Sequence, residues 1–123
     1  MILDSLTSVK AALSAATSSN PVETQVYYFD FAVDGNPSMP SLNTTTLAVT
    51  SNVTLLSAPT NNPRREVFRA SIYNADTTTA TVTVRVDSGT ASIPVKADLA
   101  TQETLHFEKG FGWYKTKADG SRA

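Results

Sequence analysis

The sequence contains no cysteine, so disulfides and thiolate metal sites are both excluded. Stability beyond the core must then come from packing or from association. No apolar run approaches the roughly 20 residues needed to span a bilayer, and no membrane partner is expected. Charged residues make up only 17%, against roughly 25% in ordinary globular domains. The formal net charge is −1, which argues against a nucleic-acid partner, since such surfaces are usually strongly basic. The five glycines fall in no phosphate-cradling or dinucleotide-binding pattern. The start, Met1-Ile2-Leu3-Asp4-Ser5-Leu6, lacks the basic opening and unbroken apolar stretch of a signal peptide, so synthesis in a cytoplasm is expected.

Catalytic constellations are equally scarce. One imidazole, His106, cannot supply a serine triad or a two-histidine metal site from unplaced carboxylates. Asp34, Asp76, Asp87 and Asp119 sit in expected turns, while Glu66 and Glu108 take outward strand positions. No convergent carboxylate pair of the glycosidase kind emerges. The expectation is a protein without catalytic residues, cofactor or metal.

What the chain has instead is threonine and serine, 18 and 13 of its 123 residues. Threonine is β-branched and suits the half-wet face of a pleated sheet. A helix is nevertheless expected first. Ile2, Leu6, Val9, Leu13 and Ala16 recur at spacings of four and three, Asp4 suits its N-cap or first turn, and Ser18-Ser19-Asn20-Pro21 ends it. At about 15 residues such a helix is marginal alone and must lie on its own sheet or on a neighbour.

After Pro21 the period falls to 2. Over residues 22–33, Tyr27, Phe29, Phe31 and Val33 share the face expected to be core, with Val26, Tyr28, Asp30 and Ala32 opposite. Further strands are expected at 45–50 (Leu47 and Val49 inward), 53–57 and 65–74 (Phe68, Ala70 and Ile72 inward). In residues 80–87, Ala80, Val82, Val84 and Val86 alternate with Thr81, Thr83, Arg85 and Asp87. Asp87-Ser88-Gly89 turns into 90–96, with Ala91, Ile93 and Val95 inward and Pro94 marking an edge, and strands around Leu105 and Trp113 close the series. One helix and about eight short strands predict a mainly β fold, an antiparallel β-sandwich of jelly-roll or immunoglobulin-like type with a short N-terminal α-helix. The expected organisation is a helical arm at 1–21, the sandwich at 22–117 and a flexible tail at 118–123.

The stretches VTLLSAPTNNPRREVFRASIYNADTTTATVTVRVDSG and LATQETLHFEKGFGWYKTKADG resemble a β-sandwich domain of small structural proteins in tailed-bacteriophage virions. Shared features are a Pro/Asn loop leading to Arg64-Arg65, a strand ending Tyr73-Asn74-Ala75-Asp76, the alternating valine strand and a late Gly112-Trp113. The resemblance covers 53–120 and omits the N-terminal third. It implies a capsid decoration (cement) protein made in the bacterial cytoplasm, or a head–tail or tail accessory protein. Its partners would be the major capsid protein or another virion protein, with self-association, a trimer favoured.

The contact residues expected for that role are Ile2, Leu6, Val9 and Leu13 of the helix stripe, Tyr28, the arginines Arg64, Arg65 and Arg69, and Trp113. Arg85 is a further candidate for the arginine stripe. A second class of function, a carbohydrate-binding module, would stack sugars on Phe111, Trp113 and Tyr114. Charge divides unevenly, −3 over residues 1–60 and +2 over 61–123, an asymmetry that could orient copies in an assembly.

Overall fold

The computed structural model describes residues 1–88 and 92–123, ten strands in two antiparallel sheets. One sheet runs β10 (Gly112–Thr116), β9 (Thr104–Glu108), β6 (Arg64–Asn74), β3 (Val22–Phe31), β4 (Ser41–Leu47). The two-residue β1 (Ile2–Leu3) pairs with the lower half of β6, Leu3 opposite Arg65, where β9 no longer reaches. The other sheet runs β5 (Val53–Leu56), β2 (Ser8–Leu13), β7 (Ala80–Asp87), β8 (Ser92–Leu99). The β-sandwich expected from the alternation is formed.

The N-terminal helix is not. Residues 8–13 alternate as well as they spiral: Val9, Ala11 and Leu13 are buried, and Ser8, Lys10 and Ala12 are not. As a strand this segment bonds β5 on one side and β7 on the other, whereas a helix would leave both without a ladder. Tertiary pairing therefore overrides a weak helical preference. Asp4 does not cap a helix but turns the chain between β1 and β2. Its Oδ1 accepts the Leu6 N–H at 2.9 Å and the Thr7 hydroxyl at 2.7 Å. The supposed helix terminator, residues 18–20, is instead a loop wrapped on Asp76.

The valine strand behaves as its alternation demands, with Ala80, Val82 and Val84 buried and Val86 packed against the same core. Val22, Val26, Ile72, Leu105, Leu47 and Leu99 meet them from the facing sheet and the edges. Pro94 lies in an edge strand, as expected. The readings on Gly89, Thr90 and Ala91, and on the side chain of Ile93, lie outside the described residues.

One face assignment is reversed, and two single residues leave the side expected of them. On β3 the even residues Val22, Thr24 and Val26 are buried, so Tyr27, Phe29 and Phe31 point outward and are only half-buried. Glu23 and Gln25 share their parity and carry the wet face; the aromatic weight at the far end concealed this. On β6 the pairing with β3 slips between Tyr27 and Tyr28, where Arg69 is followed by Val67 as partner. Phe68 is the extra residue of this bulge and is turned out of the core side that Ala70 and Ile72 occupy. Val49, also expected inward, lies beyond the end of β4 and is 53% exposed.

Candidate functional site

The two outer faces of the sandwich differ in kind. On the β5–β2–β7–β8 sheet the outward side chains are small or polar. Lys10 pairs with Asp87 at 3.5 Å, and the Thr81 hydroxyl donates to Asp98 at 2.6 Å. The outward face of the larger sheet instead carries most of the aromatics. Cross-strand register places Leu42, Tyr27, Arg69 and Glu108 in one row, and Thr44, Gln25, Ser71, His106 and Tyr114 in the next. Thr46, Glu23, Tyr73, Thr104 and Thr116 form a third.

Toward the β3–β4 hairpin an aromatic strip runs along this face. Phe31 meets Phe29 edge-on at 5.2 Å between centroids, Phe29 meets Phe68 at 5.7 Å, and Phe68 meets Tyr27 at 6.1 Å. The Arg64 guanidinium lies 4.8 Å over Phe31. Below the strip the lone histidine stacks on Tyr114 at 4.9 Å, and its Nε2 is 2.9 Å from the Thr116 hydroxyl. Burial, then the Arg69 charge, lowers the His106 pKa and favours the neutral ring. The Tyr114 hydroxyl donates to Glu108 at 2.8 Å, which holds the phenol protonated to higher pH. Arg122, in the returning C-terminal segment, covers the rings of Phe111 and Tyr114 at 5.1 and 4.8 Å.

Between these groups lies a shallow depression of about 330 Å3, floored by Ser71 and rimmed by Tyr27, Tyr73, His106, Arg69, Glu23 and Gln25. It exists because a two-atom serine side chain sits among long neighbours. Its chemistry is that of recognition: ring faces, hydroxyls, one carboxylate, one guanidinium and one amide. Among the described residues no group of three or more His, Cys, Asp or Glu could hold a metal ion.

The structure scatters the residues expected to make contacts. Ile2 (55% exposed) and Leu6 (74%) are outside, but Val9 and Leu13 are core residues, so the helical stripe does not exist as a docking surface. Tyr28 packs inward under Arg65, whose guanidinium lies 4.6 Å from its ring centroid. Arg65 itself is spent within the chain, gripping Asp30 with 2.7 and 3.1 Å bonds and the Ser57 carbonyl at 2.9 Å. Arg64 and Arg69 remain on the aromatic face, while Arg85 belongs to the opposite sheet, so no arginine stripe forms. Trp113 faces the core beside Phe107, 5.2 Å away, which breaks up the expected sugar platform of Phe111, Trp113 and Tyr114.

The sequence alone offers Tyr73 as a stacking or interface residue, but it puts Tyr27 in the core and gives no sign of Gln25. Their common parity with Glu23 and Ser71 across β3 and β6 is the signal that finds them, once the register of the two strands is known.

Comparison with protein families, with curated proteins and with solved structures found no match to this chain.

Proposed function

We propose that the chain is a structural virion protein of a tailed phage, a capsid decoration protein that binds and stabilises the head shell. The family reading rests on the resemblance of residues 53–120. The observation that carries the mode of action is the gathering of Tyr27, Phe29, Phe31, Phe68, Tyr73 and Tyr114, with the exposed Leu42, on one outer face, opposite a face that is small and polar. Aromatics and arginine at the centre of a polar surround are the usual anchors of protein–protein contact. Many weak copies on a repeating lattice gain avidity without an active site.

The test is to image or weigh particles that contain the chain. Copies in proportion to the shell subunits support decoration, while a handful of copies at one vertex moves the protein to a head–tail or tail accessory role. Absence from every particle ends the proposal. Tyr27→Ala combined with Arg69→Glu is expected to cut shell occupancy about tenfold or more while leaving the circular dichroism spectrum unchanged.

A carbohydrate-binding reading is favoured by the depression over Ser71, with tyrosines at both ends and polar groups between. Glycan-array binding that Tyr73→Ala abolishes, on a folded protein, would establish it.

A further inference from the structure

An open sheet must hide or protect its outermost strands, because each presents a row of unpaired N–H and C=O groups to any passing chain. Among the described residues five strands are outermost, and one of them, β1, is only two residues long. β5 is only four residues long. β8 carries Pro94, Lys96 and Asp98. β10 is covered by the returning tail, where Arg122 bridges Thr116 and the Ala123 N–H reaches the Lys115 carbonyl at 2.9 Å. β4 has none of these devices.

β4 is seven residues of Ser-Leu-Asn-Thr-Thr-Thr-Leu, with no charge, no internal proline and no bulge in its register with β3. It belongs to a longer anomaly: residues 35–63 contain no Asp, Glu, Lys, Arg or His. That segment supplies β4 and β5, the edge strands on one side of the two layers, tied together by the Asn43 amide donating to the Leu55 carbonyl. Exposed on or beside it are Met39 (85%), Leu42 (48%) and Val49 (53%).

We infer that β4 is an interface, and that its occupant is β4 of a second copy of this chain, paired antiparallel about a two-fold axis at Thr44. An uncharged edge offers nothing to orient a charged partner, but it is complementary to itself. In that register Thr44 faces Thr44, Leu42 faces Thr46 on the outward face, and Asn43 faces Thr45 on the inward face, so no like charges are opposed. The threonines favour a strand and can bond one another across it. The interface is isologous and closed, so association stops at two rather than growing into a fibre. It joins two copies of the larger sheet into one continuous sheet, with both aromatic faces on the same side. The inference stands apart from the virion reading, since a β4 dimer can form whatever the aromatic face binds.

The two-fold axis makes a decisive experiment possible. Sedimentation equilibrium of the wild type is expected to give twice the 13.1 kDa chain mass at high concentration. Thr44→Lys and Thr44→Glu each place like charges opposite themselves and are expected to weaken association by about tenfold or more. Mixing the two restores the dimer. Because the chain lacks cysteine, Thr44→Cys provides an independent readout: oxidation gives a disulfide-linked dimer, whereas Thr83→Cys on the other sheet does not cross-link. A monomer at all concentrations, a trimer, or a dimer indifferent to Thr44→Lys with no cross-link at position 44 overturns the inference.

Discussion

Asp76 is the side chain on which the loop between β2 and β3 and the turn between β6 and β7 converge. It is 1% exposed, yet its carboxylate accepts the N–H groups of Ser18 (2.9 Å), Ser19 (2.8 Å) and Asn20 (3.1 Å) and the Thr78 hydroxyl (2.9 Å). The Ser18 N–H above all, with those of Asn20 and Ser19, holds its carboxyl far below the usual carboxylate range, against the opposing effect of burial. Asn74, wholly buried, completes the arrangement: its side chain accepts the Asp76 N–H and donates to the carbonyls of Thr78 and Leu99. The depressed folded pKa means that the unfolded chain binds the proton first. The contribution of Asp76 is therefore complete above the ordinary carboxylate pKa near 3.8 and disappears as pH falls from there toward its folded value. Asp76→Asn is expected to lower the thermal midpoint at neutral pH and to flatten the loss of stability between about pH 4 and pH 2. Melting curves across that range check it. Asn74→Ala, which strands buried partners without replacement, is expected to cost about 1–3 kcal/mol in urea unfolding.

Among the elements, β2 explains most about how this fold is specified. The same six residues satisfy a helical stripe and a strand alternation, and the vacancy between β5 and β7 selects the strand. The two readings differ in what they ask of Leu6 and Leu13. A docking helix would expose both; the sandwich exposes Leu6 at 74% and buries Leu13 to 3%. Leu6→Asp is accordingly expected to change stability by no more than about 0.5 kcal/mol, as ordinary surface replacements do. Leu13→Asp puts a carboxylate opposite Val82 in the core and is expected to unfold the protein. Denaturant titration of the two single variants decides between them. On β6, the bulge at Phe68 does comparable work: one extra residue turns a large ring from the core side to the aromatic strip.

The whole molecule divides along its chain. Strands β2 to β5 form one side of the sandwich and β6 to β10 the other, meeting where β3 pairs with β6 and β2 with β7. The charge imbalance of −3 and +2 thus becomes a difference between two sides of one object. The side with little charge also has the unprotected edge, and a β4 dimer would leave the more heavily charged sides facing away from the axis. Association of folded chains stabilises them by mass action, so the wild-type thermal midpoint is expected to rise with protein concentration while that of Thr44→Lys stays constant. Calorimetry over a wide dilution series is the measurement.

Alternation and turn chemistry suffice to read a cysteine-free β-sandwich from residues 80–87 and from the Asp and Gly turns, because a period of 2 is a local property of the chain. The same local information could not place residues 8–13, whose two periodicities are equally good until β5 and β7 offer hydrogen-bond partners. Nor could it find the aromatic face. Whether Tyr27 points in or out depends on Val22 and Val26 meeting the facing sheet, and Phe68 turns outward only through a register shift with β3. Side-chain pattern is written residue by residue, but which face becomes the interior is settled by partners distant in sequence, since burial and hydrogen bonding belong to pairs of strands rather than to either one.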